Sequence, residues 1–401
     1  MSRRLDNFVE AFCHYSEVFN TTPLYARASA LWMVGTAVRR QVAMRGRGNN
    51  ISPNLFIELV GGPGTGKSQS INAVRSIFLP ATSRSIIPSS VTRAGMEDYM
   101  KGNLQQTKTP DGSLLLSHEC IGLSEEMQGI LPDQDLGHLT LYNLLYDLPA
   151  IHKAVTRTHG EVRLEAPYCS ILTGAQPAFL AVSMPEQAWG MGFMSRSIMI
   201  FDTPRDRQSI FRLRDVNHKL KADLIHDLKL IADLCGYIEW TNEAVSLYDE
   251  WWVEAGGTPI PSQKRLMMGY NSRRELQMLK LAIIHSMSRG SDLIVDLPDV
   301  AAAITDLLHF ESQMKNIFME MATTGSMVAL ADVLDRVKTN TAEGKMTDEA
   351  TLIEMLMQRF PSTQVHAMIE NMISSKAITT VGVLEIKGLR KFKMGPSIPV
   401  A

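Results

Sequence analysis

Eight consecutive residues carry the strongest chemical signal in the chain. Gly61-Gly62-Pro63-Gly64-Thr65-Gly66-Lys67-Ser68 matches the pattern G-x-x-x-x-G-K-[ST]. Glycines let a backbone wrap closely around an anion, in conformations that other residues resist. Successive N–H groups, and the start of the helix expected over 69–78, would then face the phosphates of ATP. In that arrangement Lys67 reaches the β and γ phosphates, Ser68 offers its hydroxyl to Mg²⁺, and Gln69 completes the contact segment. The competing reading is a chance glycine-rich turn. An apolar strand directly before the loop (55–60) and a helix directly after it favour the cradle.

Hydrolysis needs acids near such a cradle. Cys120-Ile121-Gly122-Leu123-Ser124-Glu125-Glu126 reads as an apolar strand ending in two carboxylates. The first acid of such a pair holds Mg²⁺ and the second polarises the attacking water. Glu125 therefore stands as a metal ligand, where an Asp is usual, and its extra methylene pushes the carboxylate outward. Glu126 is the general base. The alternatives are a solvated helix start, where acids are also favoured, and Glu119 as the working acid if the strand ends earlier. The strand over 169–174 is followed by Gln176, which both donates and accepts and so suits orienting a water; Thr173 is the second choice. Arg196 follows the glycine-containing stretch 190–195, a position from which ring-forming ATPases reach a neighbour's γ-phosphate with an arginine. Arg273 and Arg274 are candidates for touching the nucleotide from a helical lid.

The elements that must position these groups follow from periodicity. Helices are expected within 5–45, with Pro23 opening the second. The stretch 45–50 reads as a loop. Apolar runs at 55–60, 85–88, 120–123, 169–174 and 197–201 alternate with helical segments, which predicts a parallel sheet with helices on both faces. The acids are expected at the end of a strand neighbouring the loop strand. Residues 206–322 read as helical. The last part gives three helices (326–338, 348–358, 362–374) and a strand-rich tail, the pattern of a winged helix. The expected domains are 1–50, a helical segment; 51–205, the ATPase core; 206–322, the lid; and 323–401, the winged-helix-like part.

Composition sets further bounds. The chain has 401 residues, 45% of them hydrophobic, with 40 basic and 42 acidic side chains. No apolar run reaches the length of a membrane span, so no membrane partner and a cytoplasmic location are expected. Cys13, Cys120, Cys169 and Cys235 fit no metal or redox spacing and read as buried, reduced thiols. Near-zero net charge means that contact with nucleic acid must come from a local basic surface.

Taken in order, several segments resemble the AAA+-type ATPase module of phage and plasmid primase–helicases, itself similar to superfamily-3 helicases. They are 53–60 running into Gly61–Ser68, then 88–92, 123–127, 141–147, 174–177, 192–196, 270–274 and 279–282. The resemblance covers roughly residues 20–320. It implies a P-loop NTPase fold, ATP and Mg²⁺ as ligands, a hexamer or similar ring with ATP between subunits, and a hairpin that grips single-stranded DNA in the central channel. The stretch 154–164 reads as strand, turn, strand, and Lys153, Arg157, His159 and Arg163 would contact DNA phosphates. Solvated charges on an exposed hairpin are the bland alternative.

Near the C-terminus, Lys376, Lys387, Arg390, Lys391 and Lys393 cluster with only Glu385 opposing them. Such a wing would bind duplex DNA, unless its charges only protect an edge strand. Three functions compete. The first is a ring-forming replicative DNA helicase of a phage or mobile element, working with replication proteins. The second is a DNA-bound ATPase switch, such as a helicase loader or transposition regulator, that recruits a partner without unwinding. The third, a protein remodeller, would call for an aromatic pore loop after Glu126, and the sequence offers none there.

Overall fold

Phe8, Phe12 and Tyr15 share the buried face of helix α1 (Phe8–Ser16), whose N-terminus is capped by the Asn7 side chain. Helix α2 (Pro23–Ala37) starts with proline in its first turn and is capped by Thr22. It is buried on nearly every side, as its apolar sequence with little amphipathic bias requires. Strands β1 (Val42–Arg45) and β2 (Asn50–Ile51) then pair antiparallel, so the expected loop at 45–50 is the turn of a small hairpin. The structure, a computed structural model, describes all residues except 1, 132–134, 157–159, 184–191, 205–214, 258–268, 358–359, 361, 384–389 and 395–401.

The fold is mixed α/β. After β3 (Phe56–Val60) come α3 (Lys67–Thr82), α4 (Arg93–Gly102), β4 (Leu104–Lys108), β5 (Leu114–Ser124) and α5 (Leu136–Tyr146). Next are β6 (Ile151–Thr156), β7 (Gly160–Glu165), β8 (Tyr168–Ala175), α6 (Pro177–Ser183), α7 (Phe193–Arg196) and β9 (Ser197–Phe201). One five-stranded sheet runs in the order β4-β5-β8-β3-β9. β5, β8, β3 and β9 are parallel, and edge strand β4 is antiparallel to β5. Ile57, Leu59, Leu123, Leu172 and Ile200 belong to the same core as α2 and α3. On the other face, the ring of Phe56 packs against Tyr142, Tyr146 and Phe193 from α5 and α7. Parallel strands covered on both faces are buried throughout and mostly apolar, and β3, β8 and β9 are, with Glu58, Ser170, Thr173 and Ser197 as their buried polar residues.

Two expectations change here. Residues 85–88 form no strand; they run beside β5 and join it through one backbone bond, Ile87 N–H to the Ile121 carbonyl at 2.9 Å. The fifth strand is β4, whose Leu-Gln-Gln-Thr-Lys sequence buries only Thr107 and so carried no apolar signal. The acid-bearing strand β5 is also not the neighbour of β3, because β8 lies between them.

The helical stretch that follows contains α8 (His218–Ala232), β10 (Gly236–Tyr237), β11 (Glu239–Trp240) and α9 (Asn242–Tyr248), which runs into a π-helical turn at Asp249–Glu254. Then come α10 (Arg274–Arg289), β12 (Ile294–Val295) and α11 (Leu297–Ser312). β10 pairs with β1, and α8 packs on α1, α2 and α3, so this stretch shares one core with the N-terminal helices and the sheet. The chain divides into two compact units, Met1–Phe318 and Met319–Ala401. Helix α12 (Met314–Ala342) contains the boundary. No helix among the described residues is long and apolar enough to cross a membrane. Cys120 and Cys169 are buried, Cys13 and Cys235 half-buried, and all four are free thiols.

The second unit has its own core. Val333 and Val337 of α12 pack with Leu352 and Leu356 of α13 (Glu349–Met357), Val365, Ile369 and Met372 of α14 (Ser362–Ser374), Ile378 and Phe392. β13 (Thr347–Asp348), β14 (Ile378–Val383) and β15 (Arg390–Met394) form a sheet in the order β13-β15-β14. The helix expected over 326–338 is part of the longer α12. Lys387 and Glu385 lie outside the described residues. Lys391 stands opposite Asp348 across the β13–β15 pair, 4.0 Å apart, an acidic partner that the local sequence did not reveal.

Candidate active site

The loop between β3 and α3 is fixed by close backbone contacts. Gly61 N–H donates to the carbonyl of Ala175 on β8 at 3.1 Å. Gly66 caps α3 with φ 84°, a left-handed value, and a Cβ there would lie 1.9 Å from the backbone oxygen of Asn20. Glycine is required at that point both for its conformation and for the approach of the α1–α2 link. Helices α1, α2 and α4 have their first turns capped by a side chain; α3 has none. Its leading N–H groups therefore remain for an anion, where the helix dipole favours negative charge.

Lys67 opens α3 and folds back over the loop. Its ammonium donates to the Gly61 carbonyl at 2.6 Å, the Gly62 carbonyl at 2.8 Å and the Thr65 hydroxyl at 3.1 Å. Burial lowers the Lys67 pKa, and the Glu126 carboxylate opposes that shift. The Lys67–Glu126 coupling places an acid from the end of β5 within electrostatic reach of the cradle lysine.

A cleft of about 470 Å³ opens here. Pro63, Gly64, Thr65, Gly66, Lys67, Ser68 and Gln69 line it from one side; Glu125, Glu126 and Gln176 line it from the others. The parallel register explains the meeting: β3, β5 and β8 all end at this edge, with Val60 opposite Ala175 and Ser124 opposite Thr173. Because β8 lies between the loop strand and the acid strand, Gln176 at its end sits between the two groups. Gly174 makes the closure possible, since a Cβ there would meet the Glu125 backbone oxygen at 2.3 Å and the Lys67 side chain at 3.5 Å.

The two acids differ. Glu125 lies 3.6 Å from Arg75 of α3 and is half-exposed. Glu126 begins the short 3-10 turn Met127–Gly129, and its backbone oxygen accepts from the Ser124 hydroxyl at 2.7 Å. Glu119, the alternative acid, is buried five residues before the strand ends. It pairs with Arg39 at 2.8 Å and Arg84 at 3.8 Å, far from the cleft lining. Thr173 is buried within β8 and does not line the cleft. Asn20, Met127, Gln128 and Phe179 do line it, and sequence reading passed over them. Asn20 is more than 40 positions before the loop, so only the fold brings it there.

Magnesium bound with a nucleotide needs one or two protein oxygens, the remaining positions being filled by phosphate and water. An exposed Ser68 and a half-exposed Glu125 on one cleft fit that donor set. The described residues contain no group of three or more His, Cys, Asp or Glu placed to hold a metal by themselves.

Arg196 does not line the cleft. It ends α7 just before Ser197, which pairs with Phe56 at the start of β3, whereas the loop follows Val60 at the end of that strand. About 13 Å of strand separates the two positions. Arg273 sits beside Arg196, not over the cleft, because both donate to Asp147. Arg274 is buried in a two-bond pair with Glu311, at 2.7 and 2.8 Å, and so holds α10 to α11.

The hairpin β6–β7 also lies toward the strand-start end, joined to β5 where Glu165 N–H donates to His118 Nδ1 at 2.8 Å. Lys153 and Arg163 are exposed and directly opposite each other in register. Arg163 also donates to Glu165 at 2.5 Å. Arg157 and His159 lie outside the described residues.

No protein-family model matches the chain, and no curated protein matches it either.

Proposed function

We propose that the chain is a P-loop ATPase, with ATP and Mg²⁺ in the cleft at Gly61–Ser68, acting as a ring-forming DNA motor of the helicase type. The observation that carries this reading is the convergence of an uncapped helix start, Lys67, Glu125, Glu126 and Gln176 on one cleft, from three strand ends. The AAA+-like resemblance of roughly residues 20–320 supports it, and the helix and strand order of the second unit supports a winged helix there. The strand order supports the following roles. Backbone N–H groups of the loop and Lys67 hold the β and γ phosphates. Ser68 and Glu125 would hold Mg²⁺, which neutralises phosphate charge when bound. Gln176 orients a water, and Glu126 takes its proton as the water oxygen bonds to the γ-phosphorus and the bond to the bridging oxygen breaks. Arg196 lies at the far end of the sheet from its own cleft, so its phosphate partner would be the nucleotide of a neighbouring copy, as a ring requires.

The Lys153–Arg163 pair on an exposed hairpin supports contact with a single strand, and Lys376, Lys391 and Lys393 support a duplex contact through the second unit. ATP turnover measured with and without single-stranded DNA tests the assignment. Wild type should hydrolyse ATP faster with DNA, and Lys67→Ala should lose about a thousandfold or more in turnover. Normal turnover in Lys67→Ala would remove the cleft from the mechanism. Strand displacement on a forked duplex separates a helicase from a DNA-bound switch, which would hydrolyse ATP without releasing the strand.

A further inference from the structure

The two acids at the end of β5 line a second cleft as well as the first. Its volume is about 440 Å³, and Arg75, Ile86, Ser89 and Gly129 line it together with Glu125 and Glu126. Arg75 lines this cleft and not the first. It stands about two turns along α3 from Lys67. Its Nη1 donates to the Asn72 side-chain oxygen at 2.8 Å and its Nη2 to the Leu123 carbonyl at 3.2 Å, while the Glu125 carboxylate lies 3.6 Å from Nη1. The acids are thus divided between two cations. Glu126 acts on Lys67 in the first cleft, and Glu125 pairs with Arg75 in the second.

The Arg75–Glu125 pair is weak enough to exchange. Its side chains are 37% and 41% exposed, and an ion pair that open to water is worth little. Arg75 is nonetheless fixed by Asn72 and Leu123, so little further ordering is needed for Glu125 to meet it. A doubly charged metal draws a carboxylate more strongly than a partly hydrated guanidinium does. Side-chain reach decides the rest. Aspartate at position 125 would end one methylene short and serve one side only. Glutamate has a further rotatable bond and can swing between Arg75 and the phosphate cradle.

We infer that Arg75 is a positioning residue: it holds the Glu125 carboxylate on the second-cleft side until magnesium enters with the nucleotide and takes it. The inference rests on the reading of Gly61–Ser68 as a triphosphate cradle and of Glu125 as a magnesium ligand. Two consequences have opposite signs. While Glu125 stays with Arg75 its charge is partly neutralised, so a metal-free nucleotide meets less repulsion. When the metal arrives, the same pair competes with it and weakens its binding.

Manganese binding in the presence of ADP, read from the electron paramagnetic resonance signal of the free ion, tests this without turnover. Arg75→Met keeps the alkyl stem and removes the charge. It should bind manganese about threefold more tightly than wild type, and metal-free ADP about threefold more weakly. Arg75→Gln replaces it should the methionine chain not fold. Glu125→Asp keeps both charges and loses the reach, and should also tighten manganese binding about threefold. The double variant should gain no more than either single change, because both remove the same restraint. Additive gains, or unchanged or weaker manganese binding by Arg75→Met, overturn the restraint. Wild-type ADP binding by Lys67→Ala would instead bring down the cradle reading, and wild-type manganese binding by Glu125→Ala would remove Glu125 from the metal.

Discussion

The two ends of the central sheet are built from different materials. At the end where β3, β5 and β8 stop, the working surface is mostly backbone: a loop folded on itself, an uncapped helix start and two glycines that let chains touch. At the end where the strands begin, it is side chains: Arg196, Arg273 and Asp147, brought from α7, the start of α10 and the residue after α5. Backbone geometry depends on a short contiguous stretch. The ion cluster depends on segments 49 and 126 positions apart from Asp147. The first kind of site leaves no room for a side chain at Gly66 or Gly174; the second tolerates changes of shape and responds to changes of charge.

Three experiments sharpen that contrast. The largest effect is expected from Gly66→Ala, since a Cβ would lie 1.9 Å from a backbone oxygen. ATP affinity should fall about a thousandfold or more while helical content is kept. Wild-type affinity in a titration with a fluorescent analogue would show that the loop does not need its close packing.

The next effect comes from the strand that joins the two ends. Glu58 is fully buried midway along β3, and burial pushes its carboxyl up to about 8, with the Ser197 hydroxyl only partly offsetting this. The folded chain holds that proton up to about 8, while the unfolded chain releases it near the ordinary 4.5. The resulting stability is fully present below the unfolded value and is lost as pH rises through the folded one. Glu58→Gln should therefore gain stability relative to wild type between pH 5 and 8.5, by roughly a few kcal/mol in denaturant titrations. Parallel stability profiles for the two chains would contradict it.

The smallest effect belongs to the hairpin. Replacing Lys153 and Arg163 together by alanine should weaken single-stranded DNA binding about tenfold and flatten the log–log salt slope by about 1.4. An unaltered slope would leave the strand-start end without a nucleic-acid role.

How far the sequence could be read follows the same division. The Gly61–Ser68 loop, the strand before it and the helix after it were legible because each is local: glycine placement, an apolar run and a helical period. β5, β8 and β9 were legible as apolar runs. Edge strand β4 was not, because Leu104-Gln105-Gln106-Thr107-Lys108 is stabilised by pairing and not by burial. The false strand at 85–88 is apolar for another reason: it lies against β5 without a ladder of its own. Glu119 and Arg274 look like candidates for chemistry in sequence. Both are tied down in buried ion pairs whose partners lie well away along the chain.

By itself the sequence determined the glycine-rich loop between a strand and a helix and the presence of two acids and an amide at strand ends, since these depend on residue types within a few positions of one another. Only the tertiary structure decided that β8 separates the acid strand from the loop strand, that Asn20 closes one wall of the cleft, and that Arg196 and Arg273 share Asp147 at the opposite end. Those facts depend on strand order and helix docking, which are set by the packing of the whole core and leave no mark on any short stretch of the chain.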